Sequence, residues 1–141
     1  MAYDPDNIFA KILRGEADAA VVLDEEHCLA FMDVMPQSPG HTLVIPRQPA
    51  ENLFDLPDDA WTELMATTRR VAYAVQAAFQ PAGMMLMQLN GPDAGQTVFH
   101  IHFHVVPRYE GEGLAFHARS MADLAELREH AARIRAELAS G

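Results

Sequence analysis

Residues 100 to 108 read HIHFHVVPR, which sets His100, His102 and His104 on alternate positions with large apolar residues between them. Imidazole has an ordinary pKa of about 6.5, so it serves as nucleophile, base, acid or metal ligand near neutrality. In an extended strand, residues two apart point to the same face about 6.6 Å from one another. The spacing therefore predicts three rings lining one face, with Ile101, Phe103 and Val105 entering the core on the other. Adjacent rings could share one zinc ion, whose bonds to imidazole nitrogen are about 2.0–2.1 Å long. All three could not, unless the strand is broken, and no Asp, Glu or Cys stands beside the row to complete a shell. Direct attack by neutral imidazole on phosphorus is the chemistry the row fits best. The loop just before it, GPDAGQT (91–97), offers backbone amides, the Gln96 amide and the Thr97 hydroxyl, all donors suited to phosphate oxygens.

Such a row needs a scaffold, and the hydrophobic pattern supplies one. PDNIFAKILR (5–14) has Ile8, Phe9, Ile12 and Leu13 at helical spacing, with Gly15 as a stop. AAVVLDE (19–25) and HCLAFMD (27–33) read as strands joined by an acidic turn, and HTLVIP (41–46) as a third strand after the loop MPQSPGH. Residues 57–80 form the longest predicted helix, with Pro57 and two aspartates suited to its first turn. MMLMQLN (84–90) and VFHIHFHVVP (98–107) complete five strands. A last helix is predicted over 120–138, opened by Ser120 with Asp123 three residues on. The sum is α+β: an antiparallel five-stranded sheet, a long helix and a C-terminal helix that packs on its own domain or on a partner subunit.

The 141 residues suit a single domain, with a core over about 5–110 and an extension over 111–141. The formal net charge of −10, from 20 acids against 10 bases, is poorly suited to binding a nucleic-acid polymer. It leaves open a small phosphate compound held by backbone amides. No apolar run approaches the roughly 18 residues of a membrane span, and the N-terminal stretch lacks a basic start followed by an apolar one. Cys28 is the single cysteine, which points to a reducing cytoplasm.

The histidine row, with AGQTVFH, LAFMDVMPQSPGHTLVIP and IFAKILRGE upstream, resembles the histidine-triad (HIT) superfamily of nucleotide hydrolases and transferases over most of residues 7–108. The resemblance implies cleavage at the α-phosphate of an adenosine-type nucleotide, through a covalent nucleotidyl-histidine that water then hydrolyses. It makes His102 the nucleophile, gives His104 the phosphate and leaving group, and has His100 and His41 orient and support the row. It assigns Asp33 to the ribose hydroxyls, Gln96 and Thr97 to phosphate oxygens, and Phe9, Ile12, Phe31 and Val34 to the base pocket. The last four are equally well read as ordinary core. The resemblance also implies a homodimer whose two sheets join across the subunit interface.

The chain departs from the family in two places. Many bacterial relatives bind a structural zinc through two cysteines, a histidine and the first triad histidine, whereas this chain has Asn7, Ala10 and Pro49 at the three non-triad places. No metal and no cofactor are expected. Leu89 stands where relatives have a polar residue near the phosphate, which leaves Gln88 or Asn90 as substitutes. His27, His117 and His130 read as surface residues. Two other functions are compatible with the same residues: a nucleotide-binding module without turnover, and a metallohydrolase using the histidines as ligands. The sequence does not separate phosphoramidate from dinucleoside polyphosphate substrates.

Overall fold

The computed structural model describes residues 2–113 and 120–140. Strands β1 (Val21–Asp24), β2 (Cys28–Met32), β3 (Thr42–Pro46), β4 (Gly83–Met87) and β5 (Phe103–Arg108) pair antiparallel in the order β1-β2-β3-β5-β4. Helix α1 (Ile8–Leu13) precedes the sheet, α2 (Asp58–Phe79) joins β3 to β4, and α3 (Leu124–Ser140) follows β5. The α+β architecture expected from the sequence is the one observed.

β2 and β3 are buried at every position, because alternate side chains feed two different cores. Cys28, Ala30, Met32, Val44, Phe103 and Val105 pack with Leu64, Val71 and Val75 of α2 and with Leu127, Ala131 and Ile134 of α3. On the opposite face, Leu29, Phe31, Leu43 and Ile45 pack with Phe9 of α1. α3 lies on its own chain: Arg133 donates to the Ala78 carbonyl at 2.7 Å and stacks over the Phe79 ring, while Arg135 donates to the Val21 carbonyl at 2.6 Å. Among the described residues, no helix is long and apolar enough to cross a membrane.

Several boundaries differ from the sequence-based expectation, each for a local reason. α1 begins only at Ile8, where the Asn7 side chain accepts from the Ala10 N–H at 2.9 Å and Pro5 is left in the preceding turn. α3 begins at Leu124, not at Ser120, since Asp123 accepts from the Ala125 and Leu127 N–H groups. β4 stops at Met87 because Gln88 and Asn90 turn their amides on each other.

The largest difference is in β5, which starts at Phe103, five residues later than expected. The Ile101 N–H donates to the Ala50 carbonyl at 2.9 Å, not to β3, so residues 98–102 leave the sheet. His100 and His102 therefore lie outside the strand, and His104 alone of the three belongs to it. The expected common face for all three rings does not form. His130, expected at the surface, is partly buried against Phe79, His27 is exposed as expected, and His117 lies outside the described residues.

Candidate active site

The ends of β2 and β3 bring the first two site residues together. Asp33 follows β2 and His41 precedes β3, and the Asp33 N–H donates to the His41 carbonyl at 3.1 Å, extending the ladder by one rung. Gly40 makes the turn into β3 possible: its φ of +93° suits glycine, and a Cβ there would lie 3.1 Å from both Phe79 and Pro107. In the next strand His104 sits between Leu43 of β3 and Met87 of β4. His41 Nε2 thereby comes within 3.0 Å of His104 Nδ1 and within 3.4 Å of an Asp33 oxygen.

His102 and His104 open onto a cavity of about 810 Å³ on the α1 face of the sheet, a size typical of small-molecule sites. Phe9, Ile12, Phe31 and Val34 line it, as do Asp33, His41 and Thr97. The Phe9 ring stands edge-on to His102, with centroids 4.9 Å apart. Three predicted site residues lie elsewhere. Gln96 braces the loop, accepting from the Gly91 N–H at 2.7 Å and donating to the Glu51 and Val98 carbonyls. Asn90 accepts from the Leu53 N–H at 2.9 Å and pairs with Gln88, so neither amide replaces the polar group missing at Leu89, which itself lines the cavity. The Gln96 and Asn90 amides thus hold backbone groups of the neighbouring loops. His100 is fully buried behind His102, between the Tyr3 hydroxyl and the Pro46 carbonyl.

Neutral imidazole carries one N–H, so each fixed partner decides where that proton sits. The Pro46 carbonyl can only accept, which puts the His100 proton on Nε2 (2.8 Å) and leaves Nδ1 to accept from the Tyr3 hydroxyl (2.6 Å). The His100 carbonyl can likewise only accept, so His102 donates from Nδ1 at 2.7 Å. Its Nε2 is then a bare lone pair. On the other side, the Gln37 N–H donates to His41 Nδ1 at 3.0 Å, which forces the His41 proton onto Nε2. That proton is donated to His104 Nδ1, leaving His104 with an N–H at Nε2. His102 and His104 thus carry opposite tautomers.

Burial keeps all four rings neutral. It lowers His41 and His100 to about 4 and His104 to about 3, with His102 adding to each shift, and it lowers His102 itself. Burial pushes the Asp33 carboxyl the other way, up to about 6, against a bond from the Met35 N–H that lowers it.

Asp33, His41 and His104 bring their ligand atoms within 4.8 Å of one another, close enough to hold an ion. Metal on His41 Nε2 would move the His41 proton to Nδ1, where it would face the Gln37 N–H at 3.0 Å, donor against donor. The trio does not fit a metal. The zinc place implied by resemblance does not fit one either: the Asn7 oxygen is taken by the Ala10 N–H, Ala10 and Pro49 have no side-chain donor atom, and Tyr3 occupies His100 Nδ1.

Comparison with known proteins identifies the fold. The HIT domain pattern matches residues 14–111. The chain belongs to the HIT domain family. A HIT-like protein from Bartonella henselae, described as involved in cell-cycle regulation, superposes with a TM-score of 0.91 at 41% identity, over 97% of this chain and 99% of that one. A hypothetical histidine triad nucleotide-binding protein from Sulfolobus tokodaii strain7 gives 0.86 at 29% identity, over 94% and 91%. A zinc-bound histidine triad family protein from Mycobacterium smegmatis gives 0.84 at 34% identity, over 96% and 94%. Within this HIT fold, the sequence reading missed Asp18 and Asp93 on the cavity wall, and behind it the His100 partner Tyr3. Tyr3 lies 97 positions from His100, and no local pattern joins the two.

Proposed function

We propose that the chain is a nucleotide hydrolase or nucleotidyl transferase that cleaves at the α-phosphate of an adenosine-type nucleotide through a covalent adduct on His102. The observation that carries this is the tautomer of His102: Nδ1 is held by the His100 carbonyl, and Nε2 has no protein partner among the described residues of the cavity wall. In the first step the Nε2–P bond forms as the bond from phosphorus to the leaving group breaks, and the leaving group takes a proton from solvent. The imidazole becomes cationic, and the His100 carbonyl stabilises it through Nδ1–H. His104 Nε2–H donates to a phosphoryl oxygen throughout. In the second step water attacks phosphorus, the N–P pair returns to Nε2, and the water proton passes to solvent.

The rest of the cavity supports the same substrate. Phe9, Ile12 and Phe31 form an apolar wall for a base, with Val34 beside Asp33. Asp33, ionised above about pH 6, accepts from ribose hydroxyls. Thr97, on the cavity wall, meets the phosphate through its hydroxyl. Among the described lining residues there is no Lys or Arg, whereas Asp18, Asp33 and Asp93 are present. That balance favours a phosphoramidate of low net charge over a dinucleoside polyphosphate. β4 is an outer strand with Leu86 exposed, and Met65 and Tyr73 of α2 are exposed beside it, which supports a homodimer joined along that edge.

The test is to incubate the protein with an adenosine phosphoramidate, quench, and locate the nucleotidyl group by mass spectrometry. The adduct is expected on His102, and full turnover by His102→Ala would end this reading.

A further inference from the structure

We propose that Tyr3 is a positioning residue for His102, acting through His100; this inference rests on the catalytic reading above. The Tyr3 hydroxyl lies 2.6 Å from His100 Nδ1, and its ring packs edge-on against the imidazole with centroids 5.6 Å apart. Its own segment is fixed in place. The Asp4 carboxylate accepts from the Asp6 N–H, the Asp4 carbonyl accepts from the Asn7 amide, and Arg14 donates to the Pro5 carbonyl. The start of the chain is therefore built against α1 in a shape that delivers one phenol to one buried nitrogen.

The chemistry of His100 gives that phenol its task. The ring is fully buried, so water does not satisfy Nδ1, and the Pro46 carbonyl already holds Nε2–H. Tyr3 is the donor that completes the neutral Nε2–H tautomer. The carbonyl of the same residue accepts from His102 Nδ1, and the next N–H donates to the Ala50 carbonyl. Residues 100–102 leave the sheet at this point, so no β-ladder fixes the carbonyl's direction. Its direction comes from the His100 side chain, pinned at both nitrogens, and from the Ile101 N–H. Loosening the outer pin lets the carbonyl turn, and His102 then samples the tautomer with Nε2 protonated, which cannot attack phosphorus.

The experiment compares wild type with Tyr3→Phe in two measurements. Imidazole ¹⁵N spectra of wild type are expected to show His100 protonated at Nε2 and His102 at Nδ1. In Tyr3→Phe the His102 signals are expected to move toward a mixture of tautomers. Adduct formation should slow about tenfold, with KM changed by less than about twofold, because the lost contact acts on the reacting ring and not on substrate binding. Tyr3→Ala, should it fold, is expected to regain rate on addition of phenol but not of anisole, which cannot donate. His100 and His102 spectra that superpose on wild type in Tyr3→Phe, with an unchanged adduct rate, would overturn the inference. If wild type forms no adduct, the catalytic reading fails by itself, and the spectra alone then decide whether Tyr3 sets the His102 tautomer.

Discussion

His102 and His104 stand two residues apart on one cavity wall, with ring centroids 4.9 Å apart, yet they are held in opposite ways. His102 lies outside the sheet and is oriented by a backbone carbonyl, which leaves its outer nitrogen bare. His104 lies inside β5 and is oriented by another imidazole, His41, which leaves its outer nitrogen protonated. Identical side chains thus become an electron-pair donor and a hydrogen-bond donor because their inner partners differ. The contrast comes from the late start of β5 at Phe103: a regular strand would present both rings to similar neighbours.

The strongest way to break the contrast is to delete the bare lone pair. His102→Ala is expected to lower single-turnover cleavage of an adenosine phosphoramidate by at least about a thousandfold, with nucleotide affinity largely kept. Next comes the partner of the other ring. His41→Ala removes the proton that fixes His104, and turnover should fall about tenfold to a hundredfold while the His102 adduct still forms. Rapid-quench kinetics with adduct mass spectrometry separates the two variants.

A third measurement sharpens the claim that burial keeps the rings neutral. His41 and His100 are lowered to about 4 and His104 to about 3, against 6.5 when unfolded. The unfolded chain therefore binds more protons between those values, so stability rises as pH goes from about 4 to 6.5. Asp33, raised from 3.8 to about 6, opposes this over much of the same window, as one group against three. Tm is expected to climb across that range and to climb less steeply in His41→Ala. The lowered His102 also places the acid limb of kcat/KM below pH 6.5. The smallest expected effect concerns metal. Added zinc or a chelator should each change turnover by less than about twofold, since the Gln37 N–H blocks the tautomer an ion on His41 would need.

Much of the frame was legible from residue order. The alternation in β2 and β3, the long helix ended near Pro81, and the Pro-Gly turn before His41 are local patterns, and local sterics fix them. Part of the cavity wall was legible too: Phe9, Phe31, Asp33 and Thr97 were assigned through the resemblance of the motifs around them. Gln96 and Asn90 were not, since an amide that donates to phosphate is indistinguishable in sequence from one that braces a loop. The start of β5 was not legible either, because its residues keep strand alternation while their hydrogen bonds go to Ala50 and Pro46.

By itself the sequence determined the chemistry on offer: imidazoles at alternating positions, a glycine loop before them, few bases, and an α+β frame, all of which follow from side-chain type and short-range periodicity. Only the tertiary structure decided which nitrogen of each ring carries the proton. That depends on which group the fold brings to each ring, from nearby (the His100 carbonyl, the Gln37 N–H) or from afar (the Pro46 carbonyl, the Tyr3 phenol), and on the burial that keeps those held nitrogens from pairing with water.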